Sequence, residues 1–157
     1  MKHRGWIAFS GFTWLLIGMG LVYKGVQFFA FALFEPHSLM HRLKGTFGSV
    51  EQAAGVLMGI SLLIGFLKGR FVLNKTVVRV ASRIASLPLP IRVKDVYSLS
   101  YLLLIGAMMA LGMLFRFLPL ASDIKGMIDI AVGSALIHGA ILYFRLIYGI
   151  DSRAQSR

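Results

Sequence analysis

The chain has 157 residues, 57% of them hydrophobic, and a mean hydropathy of +0.77. A soluble domain of this size could not keep so much apolar surface from water, which points to lipid as the solvent. The formal charge of +11 needs no nucleic acid, because its bases sort by loop. With no cysteine, disulfides, thiol nucleophiles and thiolate metal sites are excluded.

Runs of roughly 20 apolar residues, enough to cross a hydrocarbon core of about 30 Å, predict four transmembrane helices. They cover about residues 5–24, 47–67, 97–116 and 126–148. The remaining connections are too short for a separate core, so residues 1–157 read as a single all-α membrane domain. The opening Met-Lys-His-Arg before an apolar run resembles a secretory leader. That run exceeds a usual leader core of about 7 to 15 residues, and the nominal Ala30-Phe31-Ala32 site is crowded by phenylalanines. It is therefore expected to be an uncleaved first span.

After Lys24 comes an aromatic-rich stretch that ends at Glu35-Pro36. Of two geometries, one long helix to Phe34 or a segment lying along the outer interface, the second is expected. Lys24 would snorkel and the phenylalanines would rest at the acyl boundary. A re-entrant segment is a third geometry.

In the second span, Glu51, Gly55 and Gly59 recur every four residues, a small-residue stripe expected to form a packed face. The loop 68–96 then places Leu73, Val77, Val80, Ile84 and Leu87 at helical spacing, with Lys75, Arg79 and Arg83 on another face. Such a basic amphipathic helix is expected to lie in the membrane surface. Arg70, Lys75, Arg79 and Arg83 would contact anionic headgroups. Docking on a protein partner or a twin subunit is the competing reading. Pro88 and Pro90 close the segment.

The amino end, loop 68–96 and the carboxyl end hold twelve of the seventeen bases. The other two connections hold Lys24, Arg42, Lys44, Arg116 and Lys125 together with Glu35, Glu51, Asp123 and Asp129. Short cytoplasmic loops retain bases, so both termini are expected in the cytoplasm, in a cell membrane of the bacterial inner-membrane kind. The two halves also look like a duplicated hairpin. Each first span ends on a base (Lys24, Arg116), and each second span opens with an acid followed four residues later by glycine (Glu51 and Gly55; Asp129 and Gly133).

Charged groups at membrane depth are costly unless paired or hydrated. Lys24 and Arg116 are the expected partners of Glu51 and Asp129, which also gain from their helix amino ends. His138 and Asp129 are nine positions apart, on opposite helix faces and about 13 Å apart along the axis. His138 instead shares a face with Ser134 and Arg145. A neutral imidazole bonded across helices is expected there, with Ser10, Thr13, Ser61 and Tyr101 as available polar partners.

No phosphate loop, dinucleotide fingerprint, nucleophile elbow or metal-ligand motif occurs, and no cofactor or metal is called for. His37 and His41 are spaced for one helical face but lack further ligands. The expected function is that of a non-enzymatic accessory or lipid-interacting membrane module. Its partners would be membrane lipids with anionic headgroups, a second copy or another membrane protein, and no nucleic acid. A small oligomeric transporter or channel with His138 near the midplane is the alternative. A lipid-processing enzyme using His37, His41 and Glu51 is a further one.

Overall fold

A computed structural model describes residues 3–73, 77–79, 110, 114 and 117–154. The described residues form helices α1 (His3–Ala32), α2 (Leu39–Phe47), α3 (Val50–Lys68), a π-helical turn (Gly69–Leu73) and α4 (Ser122–Ala154). Three helices among them are long and apolar enough to cross a membrane, over Gly5–Ala32, Val50–Phe71 and Ser122–Leu146. The expected span over 97–116, and with it the four-span count and the duplicated hairpin, lies outside the described residues apart from Ala110 and Leu114. Lys75, Arg83 and Arg116 lie outside them as well.

α1 does not stop near Lys24. It continues unbroken to Ala32, which corrects the expectation of an interfacial segment over 25–34. The cause is tertiary burial. Gly25 lies against the backbone of Gly126, and Phe29 and Ala32 are buried with Met40, Ala53, Leu57 and Ile130. Helix keeps those backbone groups bonded while the side chains pack, and no proline intervenes before Pro36.

The connection to α3 holds a helix that the apolar runs did not predict. In α2, Leu39, Met40, Leu43 and Phe47 face the core, while Arg42 and Lys44 are exposed. Gly48, at φ 87°, ends it with its N–H donating to the Lys44 carbonyl at 2.8 Å. This left-handed conformation suits glycine. Ser49 then caps α3, its Oγ accepting from the Gln52 N–H at 3.1 Å. The second span thus begins at Val50, and Phe47 belongs to α2.

α1 and α4 are the closest pair. Gly25 opposes Gly126 and Gly18 opposes Gly133, so seven residues back on one helix match seven forward on the other, and Gly11 meets Tyr143 farther along. The helices are antiparallel, with small residues repeating at the heptad spacing that keeps a seam in register. A methyl at Gly18 would lie 2.8 Å from the Gly133 carbonyl oxygen, and one at Gly133 would lie 2.7 Å from that of Gly18. Backbone occupies the space that a side chain would need.

α3 packs on another face of α4, running parallel to it. Gly65 faces Ala131 and Ser134, and Gly69 faces Ala135 and His138. Its buried residues are Ala53, Leu57, Ser61 and Gly65, and Gly69 in the π-helical turn continues the same stripe. The stripe expected to pack, Glu51, Gly55 and Gly59, is exposed instead. Both stripes share the four-residue period, but the buried one carries Leu57 into the core and ends on the glycines that touch α4.

Candidate functional site

Two ends of this bundle differ in chemistry. At one end, Asp123 in the first turn of α4 is fully buried. Its Oδ2 accepts the Met40 N–H of α2 at 2.9 Å, and its Oδ1 accepts the Ile124 N–H at 2.9 Å. In the reverse direction, Glu35 Oε2 accepts the Ser122 N–H at 3.1 Å. Each carboxylate occupies the amino end of a helix that belongs to the other's neighbourhood. Orphan N–H groups and the positive end of a helix dipole are thereby matched at both starts. Beside them Ser38 Oγ hydrogen-bonds His41 Nδ1 at 2.9 Å, while His37 is exposed. These acids hold helices together.

Asp129 pairs with Lys24, Oδ2 to Nζ at 4.0 Å, and Lys24 Nζ also lies 5.6 Å from the Phe28 ring centroid. Lys24 thus reaches α4 and not Glu51, which is exposed in the first turn of α3. The register also sets where the pair lies along α3. Gly65 faces Ala131 and Ser134, so Ser61, one turn earlier, is level with the turn from Met127 to Ile130. Asp129 therefore lies level with the middle of the Val50–Phe71 run. At 49% side-chain exposure the lysine is only partly shielded, and the carboxylate, at 22%, is more enclosed.

His138 meets α3. Its ring stands edge-on to Phe66, with centroids 4.9 Å apart and planes at 75°, and its Cβ lies 3.0 Å from where a methyl on Gly69 would sit. Among the described residues no hydrogen bond reaches its ring nitrogens. Ser134, expected to serve it, donates to the Ala131 carbonyl at 3.1 Å. Thr13 and Ser61 likewise donate to carbonyls four residues back, Phe9 at 2.9 Å and Leu57 at 2.8 Å. Among the described residues Ser10 is buried with no hydrogen-bond partner, and Tyr101 lies outside them.

The other end is basic. Lys68, Arg70, Arg79 and Arg145 are all exposed there. Val77 is fully buried against Ile7 and Tyr143, with Trp6 and Trp14 around them and the Trp14 and Tyr143 rings edge-to-face at 5.7 Å. At residue 77 the apolar side of the basic segment therefore rests on its own protein. Val78 and Arg79, the next two residues, face outward. Among the described residues no three His, Asp or Glu side chains converge as a metal ion would need.

Neither models of known protein families, nor characterised proteins, nor solved structures match this chain. Functional inference therefore rests on the site itself. Residues missed by sequence reasoning are Glu35, Asp123, Met40, Gly65, Gly69 and Gly126. The seven-residue spacing of Gly11, Gly18 and Gly25, matched by Gly126 and Gly133, was the available signal for the α1–α4 seam.

Proposed function

We propose that this chain is a non-enzymatic membrane module whose basic end faces the cytoplasm and engages anionic lipid. One observation carries the reading: Lys68, Arg70, Arg79 and Arg145 are exposed at one end, while Glu35, Asp123 and Asp129 are engaged elsewhere in capping or pairing. Bases flanking a span are retained on the cytoplasmic side, where anionic headgroups attract each one by about 1 kcal/mol. Catalysis has little to draw on, because the carboxylates at the capped end hold backbone amides. A bacterial inner membrane fits this charge asymmetry.

Trp6 and Trp14 lie at the basic end and serve as built-in donors. With the full chain in bilayer discs, energy transfer to a dansyl-labelled phosphatidylglycerol is expected to exceed transfer to dansyl-phosphatidylcholine. The difference should shrink as salt is raised. Equal transfer to both lipids at low salt would overturn the reading.

A second reading, transport, draws on the Lys24–Asp129 pair at the depth of Ser61. Ionisable groups at such depth commonly mark ion pathways. Ion flux into liposomes that His138→Ala abolishes would support it. Absence of flux under every gradient applied would count against it.

A further inference from the structure

α1 meets α4 through Gly18 and Gly25, and its opposite side is open. At about 100° per residue, Gly20 and Gln27 lie about 140° and 160° round the helix from Gly25. On that side Phe9, Leu16 and Tyr23 recur every seven residues, with 52%, 55% and 67% exposure. Thr13, Gly20 and Gln27 recur at the same interval between them; Thr13 is half-buried and the other two are exposed. Steps of four and three come with any helix face. The alternation of bulky with small or polar side chains does not, and it is the arrangement of knobs and holes on helices that pair.

Two residues on this face have no role within the protomer. A methyl on Gly20 would meet nothing within 4 Å, so no internal neighbour accounts for glycine there. Gln27 lies five residues inside the end of the α1 run at Ala32, about 8 Å along the axis. Among the described residues no hydrogen bond reaches its amide. α3 also leaves Gly55 and Gly59 open, but its exposed amide, Gln52, stands only two residues inside a run that begins at Val50, where headgroups reach it.

A carboxamide both donates and accepts, so it is complementary to itself. Copies inserted in one membrane share an orientation, and a two-fold interface uses the same surface on both. Two α1 helices joined by this face therefore run parallel, and Gln27 meets the partner's Gln27. Glutamine is among the side chains that hydrogen-bond across membrane helices, and glycine among those that let backbones approach. Lys24 does not oppose the pairing, because it is turned to the flank, where its Nζ lies 4.0 Å from Asp129. We propose that α1 pairs with α1 of a second copy of this chain through its outward face, closed by the amide pair at Gln27 and the close approach at Gly20.

The chain has no cysteine, so single cysteines report without background. With the full chain in liposomes at low protein density, oxidation is expected to link Leu16→Cys and Gly20→Cys into dimers. Val26→Cys and Leu63→Cys, exposed but off this face, should stay monomeric. Gln27→Leu added to Leu16→Cys should weaken association about threefold to tenfold, the range for a hydrogen bond between membrane helices. Gln27→Asn should lose less, and Gly20→Leu, in the same background, should also lower the linked fraction. Both positions are exposed in the protomer, so unchanged helical circular dichroism in detergent separates a lost dimer from a lost fold. Dimers linked through Leu63→Cys and not Leu16→Cys would assign the interface to α3 and overturn the proposal. Equal linking at all four positions would mean random collision, and linking at none would mean that lipid or another protein covers the face; either result overturns it. An unchanged linked fraction in Gln27→Leu would remove the amide pair and with it the case for a second copy.

Discussion

The Asp123 carboxylate accepts the backbone N–H of Met40, 83 positions earlier in the chain, at 2.9 Å and with no exposure to solvent. Glu35 returns the favour by accepting the N–H of Ser122. Three segments therefore meet at one joint: the turn that follows α1, the start of α2, and the first two residues of α4.

Removing the buried acceptor should leave the Met40 amide without a partner. Asp123→Ala is expected to destabilise the folded protein by about 1–3 kcal/mol, the cost of an unsatisfied buried donor. Asp123→Asn keeps an acceptor oxygen and should lose less. Glu35→Ala, at a partly buried bond, should also lose less than Asp123→Ala. Thermal unfolding in detergent followed by circular dichroism measures all three. An Asp123→Ala variant as stable as the parent would mean that the bond contributes nothing.

Much of this arrangement was legible from composition and charge, but its pairings were not. The apolar runs of α1, α3 and α4 are local properties, visible in any window of roughly 20 residues. The joint of Glu35 and Asp123 with backbone amides is non-local, and a carboxylate's attraction to a distant helix start leaves no periodic trace. Lys24 and Asp129 stood out as membrane-depth charges, but their partners depended on which spans are neighbours. The same gap explains α1. Phe28, Phe29 and Phe31 read in the sequence as interfacial anchors, and Ile130 packing on Phe29 decides for the helix. For α3, two stripes share a four-residue period, and only the placement of α4 selects Gly65 and Gly69 over Gly55 and Gly59.

The glycine seam separates positions by what a methyl would strike. Gly18→Ala and Gly133→Ala push into carbonyl oxygens on the facing helix and should force α1 and α4 apart, lowering the melting temperature. Gly20→Ala, Gly55→Ala and Gly59→Ala meet open space. They should be neutral or stabilising by up to about 1 kcal/mol, the usual advantage of alanine within a helix. Loss of stability or of a native oligomer in Gly55→Ala would show that the exposed stripe is an interface after all.

Lys24 and Asp129 should behave as a unit. Asp129→Leu leaves a cation at membrane depth without its counter-ion, and Lys24→Met leaves an anion, so each single change is expected to reduce folded yield. The double variant Lys24→Met/Asp129→Leu removes both charges and should recover part of that loss, because an uncompensated buried charge costs more than an absent pair. Resistance to unfolding in sodium dodecyl sulfate, compared across the four proteins as a double-mutant cycle, gives the coupling. Strictly additive losses would show that the 4.0 Å separation carries no useful attraction.

Val77 tests whether the basic segment rests on protein or on lipid at this point. It is fully buried against Ile7 and Tyr143, while its neighbour Val78 is 47% exposed. A helix lying free in the membrane surface would hold Val77 in acyl chains, and its truncation would weaken lipid contact without disturbing the bundle. Docked on α1 and α4, Val77→Ala instead opens a gap beside Tyr143, and Val77→Asn places an amide in an apolar cluster. Val77→Asn is therefore expected to lower the melting temperature more than Val77→Ala, and Val78→Asn to change it least. Near-ultraviolet circular dichroism should weaken in the Val77 variants, because Trp14 stacks edge-on against Tyr143 beside the altered side chain. If Val78→Asn proves as damaging as Val77→Asn, the segment presents no fixed face to the bundle and its attachment is through lipid alone.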